Sequence, residues 1–225
     1  MTDLCRAVSL FMLSCVWLMG PASLATAQDA DRAMFEVNFD ITWSRETAPF
    51  EFPPSAHLSG VTGATHNDRF VLFQDGQTAS SGVELVAENG RSKTLKAELE
   101  EIQRRGRLGT LIEGPALGTV PGSISLRFET SKAHPNLSLV TMIAPSPDWF
   151  TGISSVALVL DGKWIEQQTM TIWAWDSGTD SGSTYTAEDA DTQPQESVRL
   201  VATKHFLGSN GLVPVGTVTI KRVAP

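Results

Sequence analysis

The chain has 225 residues, of which 41% are hydrophobic and 19% charged, and its formal net charge is −8. That length supports one well-packed core, and the acidic balance argues against nucleic acid or anionic lipid as a partner. Both cysteines, Cys5 and Cys15, fall among the first 27 residues.

Those 27 residues read as an export leader. Arg6 supplies a short positive region, residues 7–19 form an apolar run too short to span a bilayer comfortably, and Ala25-Thr-Ala27 offers a small-residue cleavage site. Cleavage there leaves 198 residues starting at Gln28. The mature chain is then expected to be secreted or periplasmic, without a transmembrane segment, a thiol, a disulfide or a thiolate metal site. No long polar linker divides residues 28–225, which read as one domain.

The first element is a strand over residues 34–43. Phe35, Val37, Phe39, Ile41 and Trp43 alternate with more polar residues and share one face. Pro49, Pro53 and Pro54 then interrupt regular structure. Residues 69–74 read as a short strand closed by Asp75-Gly76. One helix is expected over residues 92–105, capped at Ser92, with Leu95, Leu99 and Ile102 on one face. It ends in Arg104-Arg-Gly106, and with Arg107 these cations suit a solvated helix end better than a polyanion site. Strands are expected at 123–129, 137–143, 155–160, 163–166, 169–175, 197–203 and 212–223, and residues 179–196 read as a long polar loop. About nine short strands with one helix imply an all-β fold, a two-sheet antiparallel sandwich.

Two loops carry the chemistry. Ala144-Pro-Ser-Pro-Asp-Trp-Phe150 and Trp175-Asp-Ser-Gly-Thr-Asp-Ser-Gly182 place carboxylates in flexible turns at the ends of apolar runs. A hard cation such as Ca²⁺ needs several oxygen donors from backbone free to bend. The alternative is that Asp148, Asp176 and Asp180 close turns by accepting from their own backbone.

Five blocks in order carry a resemblance: Ala56-His-Leu-Ser-Gly-Val-Thr-Gly-Ala-Thr-His66, Ala79-Ser-Ser-Gly-Val83, Ala87-Glu-Asn-Gly90, the run from Leu137 to Asp148-Trp-Phe150, and Trp175-Asp-Ser-Gly-Thr-Asp-Ser-Gly182. Together they resemble the spondin N-terminal domain family over about residues 34–223. The resemblance implies a C2-like sandwich binding one Ca²⁺ at one end. Carried onto this sequence, its ligands fall on Glu129, Asp148 and Asp176, with Asp180 either ligating or bracing the loop. The chain departs from animal members in having no clamping cysteines after the leader and no thrombospondin-type repeats. It is therefore expected to be a single-domain member of bacterial type.

Other constellations are weaker. His57 and His66 lie nine residues apart, with His134 and His205 elsewhere, and no zinc-type spacing joins them. Ser146, Ser181 or Ser183 lack a nucleophile-elbow pattern for a hydrolase triad. Asp148 and Asp176 as a glycosidase pair use the same residues less well than a metal does. Of the tryptophans, Trp43, Trp164, Trp173 and Trp175 are expected mostly in the core, and Trp149 is expected to pack inside its loop. The expected function is an exported calcium-binding adhesion or matrix-type module without catalysis, its partner an extracellular protein or glycan. The alternatives are a secreted or periplasmic metal-dependent hydrolase and a carbohydrate-binding module.

Overall fold

Alternation over the first apolar run becomes β1 (Arg32–Ile41), with Ala33, Phe35, Val37, Phe39 and Ile41 buried and the intervening side chains facing outward. The computed structural model describes residues 31–224, so the leader expected at residues 1–27 lies outside the described residues. After β1 come β2 (His57–Leu58), β3 (Thr62–His66), helices α1 (Ser81–Asn89) and α2 (Lys93–Arg104), then β4 (Leu108–Glu113), β5 (Gly122–Ser131), β6 (Asn136–Ala144) and β7 (Trp149–Ala157). Shorter strands follow as β8 (Val159–Leu160), β9 (Lys163–Trp164), β10 (Gln167–Ile172), β11 (Trp175–Asp176), β12 (Arg199–Leu200), β13 (Leu207–Gly208) and β14 (Gly211–Leu212), before β15 (Gly216–Val223).

The strands form an antiparallel sandwich. One sheet has the order β10-β15-β1-β5, and the other runs β12-β11-β7-β6-β3-β4, with β2 also pairing to β6. The main core lies between the sheets, where Phe35, Phe39, Trp43, Leu139 and Ile153 meet. A second core lies on the other side of the larger sheet. There Val83, Val86, Leu95 and Leu99 of the two helices pack on Val140 and Phe150. Strand β6 is buried along its whole length because it is covered from both sides, which is why its sequence is almost continuously apolar.

Three expectations need correction. The helical region is a pair, α1 and α2, rather than one helix. Gly82 lowers the intrinsic helix propensity of α1, but the site requires it: a Cβ there would lie 2.5 Å from Leu95 Cα. The helix is held instead by its ends. Ser80 Oγ accepts from Val83 N, Gly90 adopts the left-handed conformation at the C-cap, and Glu98 of α2 accepts from Gly82 N at 2.8 Å. A side-chain N-cap of this kind contributes about 1 kcal/mol.

The second correction is that residues 69–74 are irregular rather than a strand, with a turn at Asp68-Arg69 and a bend at Leu72, although Leu72 and Phe73 are buried against the helices. The third is β3, which sequence pattern does not mark. All five of its residues are buried, yet three are polar or histidine and one is Gly63. A Cβ on Gly63 would come within 2.0 Å of Ser138 O, so the close strand pairing excludes any larger residue. Among the described residues no helix is long and apolar enough to cross a membrane.

Candidate metal site at one end of the larger sheet

Strand pairing builds the site. β11 pairs with β7 so that Asp176 lies opposite Trp149 and Trp175 opposite Phe150. This register sets the loop before β7, which carries Asp148, beside the loop after β11. Ser146 Oγ closes the first turn by accepting from Trp149 N at 3.0 Å. Trp149 is 2% exposed and packs against Tyr185, His205 and Phe206, so this tryptophan anchors the loop as expected.

Asp148 is fully buried. Its Oδ2 accepts from Thr179 N at 2.9 Å, Ser177 Oγ at 3.1 Å and Asp180 N at 3.3 Å. Its Oδ1 has no hydrogen-bond partner among the described residues. A buried carboxylate oxygen without a hydrogen bond is costly, and the asymmetry within one carboxylate is the informative feature of this loop.

Asp176 lies close enough to feel that charge. Its Oδ1 accepts from Gly178 N at 2.9 Å, and Arg199 Nη2 reaches Oδ2 at 3.3 Å. Burial, followed by repulsion from Asp148, pushes its carboxyl up to about 6 against the pull of Arg199. Asp180 is placed differently. Both of its oxygens are engaged by the backbone, Oδ1 by Gly182 N at 2.6 Å and Oδ2 by Ala190 N at 2.8 Å. That is a bracing arrangement, closing the turn and tying it to residue 190.

Glu129 is not brought to this cluster. It lies on the solvent face of β5, in the smaller sheet, where Arg32 Nη2 pairs with its Oε2 at 2.8 Å. That hydrogen bond and ion pair hold its carboxyl below the usual range. The alternation of β5 explains the placement: Leu126, Phe128 and Thr130 point inward, so residue 129 must point out.

The carboxylate that pattern reading missed is Glu88 of α1. Its Oε1 is buried without a hydrogen-bond partner among the described residues. Burial, with Glu84, Asp180 and Asp189 nearby, raises its carboxyl to about 6 despite a hydrogen bond from Thr179. Glu88, Asp180, Asp189 and Ser146 line a small polar pocket of about 220 Å³ beside the loop. The signal was present in Ala87-Glu-Asn-Gly90, where the glutamate precedes the helix-ending glycine.

The histidines stay apart from this chemistry. His66 is buried in β3, with Nε2 at 2.8 Å from Ser138 Oγ and Nδ1 at 2.9 Å from Asn67 O, and burial lowers its pKa. His205 packs against Trp149 and Tyr185. Among the described residues no three His, Cys, Asp or Glu side chains are grouped so as to hold a metal by themselves. A cation at Asp148 and Asp176 would therefore have to complete its shell with hydroxyl, carbonyl or water oxygen, as Ca²⁺ commonly does.

An antiparallel sandwich with a helical pair on one sheet and a carboxylate-bearing loop end defines the class of domain. The Spondin_N family model matches residues 33–210, and the chain belongs to that family. It is 32% identical over 184 residues to Spondin-2 of Rattus norvegicus, covering 80% of this chain and 55% of that protein. It is 28% identical over 218 residues to Spondin-2 of Homo sapiens, covering 91% and 65% respectively. Against Spondin-1 of Homo sapiens the identity is 33% over 207 residues, covering 85% of this chain and 25% of that protein. The chain thus spans less than two thirds of the length of these relatives.

Proposed function

We propose that the domain is an exported, non-catalytic binding module of the adhesion or extracellular-matrix type, with one loop end fixed by a single Ca²⁺. The observation that carries the metal reading is the buried, unpartnered Oδ1 of Asp148 beside the Asp176 carboxylate. Two carboxylates forced together out of water repel unless a cation lies between them or one takes a proton. These two residues would hold the ion, Asp180 would brace the loop that presents them, and the ion would supply neutralising charge. Glu129 has no part in this set, because its side chain faces solvent from the other sheet.

The binding role follows the family and the placement of the loops. With Asp148 fully buried, its carboxylate is better suited to pinning a loop than to meeting a substrate. The loops it pins, including the polar stretch that follows Gly182, would present the surface for an extracellular protein or glycan.

Calorimetric melting tests this directly. Millimolar Ca²⁺ should raise the melting temperature and chelator should lower it again, since a ligand at about 100 times its Kd stabilises the native state by about 2.7 kcal/mol. Asp148→Asn and Asp176→Asn should each remove the response, whereas Glu129→Gln should keep it. Mg²⁺ should substitute poorly, because it demands a tight octahedral shell. A wild-type melting temperature that ignores Ca²⁺ would overturn the metal assignment. Export is checked separately by mass spectrometry of the mature protein, which should begin at Gln28.

A further inference from the structure

A cleft on the other side of strand β11 has no role in the calcium reading. It measures about 490 Å³ and opens where the chain leaves β10 in the smaller sheet and crosses to β11 in the larger one. Its floor is apolar, from Ile153 of β7 and Met170 of β10. Two features of the backbone keep it open. β11 accompanies β7 only at Trp149 and Phe150, so among the described residues β7 has no strand partner on that side from Thr151 onward. Ser154 and Ser155 then form a bulge opposite Ser138, with Ser155 at φ 55° and its N–H donating to Ser138 Oγ at 2.8 Å. A bulge of this kind bends the strand away from its neighbour.

The side chains around the cleft are chemically selective. Trp173 and Trp175 are two residues apart and both line it, together with Phe73. Phe73 and Trp175 meet edge to face at 5.7 Å. Trp173 is half-buried, and among the described residues it stacks on no other ring and no lysine or arginine lies over any of these three rings. The sole charged residue at the cleft is Asp75, which is exposed and has no ion-pair partner among the described residues. Aromatic faces attract cations through their quadrupoles, and a carboxylate at the rim adds to that attraction. An anion would find no cationic side chain among the residues that line the cleft.

We propose that this cleft is a binding site for an organic cation of the quaternary-ammonium type, its charged head against Trp173 and Asp75 and its apolar body over Ile153 and Met170. Trp175 of the cleft is the chain neighbour of Asp176, so both arms of the test are run in chelator, where calcium cannot contribute to the signal. Choline and benzyltrimethylammonium are titrated against the whole protein by calorimetry and tryptophan fluorescence, at constant ionic strength. The neutral carbon isostere of choline, 3,3-dimethylbutan-1-ol, and a methyl glucoside serve as comparators.

Saturable binding of the cations is expected, with the isostere about tenfold weaker and benzyltrimethylammonium tighter than choline because it fills more of the cleft. Trp173→Ala should abolish binding and Asp75→Asn should weaken it several-fold. If Trp173→Ala fails to fold, Trp173→Phe, which keeps a weaker aromatic face, should give an intermediate affinity. Equal binding of the isostere, binding of the glucoside without the cations, or no saturation by either cation at tens of millimolar would overturn the proposal.

Discussion

Asp148 and Glu129 are both carboxylates at or beside β-strands, and their surroundings could hardly differ more. Around Asp148, one oxygen gathers four donors, the Thr179 and Asp180 amides and the Ser177 and Thr179 hydroxyls, and the other has none among the described residues, in a loop closed to solvent. Around Glu129, a single arginine answers the charge on an open strand face, with the glutamate side chain 46% exposed. The contrast teaches that a ligand residue is defined by what desolvates it. An exposed carboxylate is already satisfied by water and one cation, whereas a buried one must be answered by the fold or by a bound ion.

The largest effect should come from removing the buried partner. Asp148→Ala strips the acceptor from Thr179 N–H, Asp180 N–H and the Ser177 hydroxyl at once, and buried donors left unmet cost about 3 kcal/mol in total. Metal-free protein should melt roughly 6–12 °C lower, on the scale appropriate to a domain of this size. A shift of about 1 °C would show that the loop solvates easily and that its burial is not tight.

A pH measurement sharpens the same comparison at an intermediate scale. Glu88 has an ordinary value of 4.5 and a folded value of about 6, so between these limits the folded state holds a proton that the unfolded chain releases. Stability from this group is therefore present below pH 4.5, falls as the pH rises through about 6, and is constant above it. Buried His66 acts in the opposite sense, losing stability as the pH drops below its ordinary value because its folded pKa is lowered. Glu88→Gln removes only the first contribution. In metal-free buffer, wild type relative to this variant should lose stability between pH 4.5 and 6, and equal slopes would mean that Glu88 is fully solvated.

The smallest effect belongs to Glu129. Glu129→Gln breaks one exposed ion pair with Arg32 and should leave the melting temperature within about 1 °C, with the calcium response intact. A loss of that response would restore Glu129 to the ligand set.

How far the sequence could be read depended on where its information lay. Strict alternation marked β1 and β5, and the long apolar run marked β6, because period and hydrophobicity report burial directly. The Asp-Trp-Phe and Asp-Ser-Gly-Thr-Asp blocks led to Asp148 and Asp176, since loop residues of that kind serve turns or ligands and little else. Strand β3 was opaque because its burial is achieved with Gly63, Ala64 and hydrogen-bonded polar groups rather than bulk. Helix α1 was hidden by Gly82, whose value is the space it leaves for α2. Glu129 was assigned by resemblance, and its exposure follows from the alternation of its own strand, a local rule that the assignment did not weigh.

Strand β1 occupies an interior position in the smaller sheet, with β5 on one side and β15 on the other. Phe39 thus faces Ile124 across one boundary and Val218 across the next. A chain emerging from the ribosome can form the first pairing early, but the second waits until residues 216–223 are free. Contacts so distant along the chain carry a large closure entropy and slow the search for the native state. The smaller sheet therefore cannot close before residues 216–223 are available, and a chain lacking that strand would expose one whole side of β1 as a sticky edge.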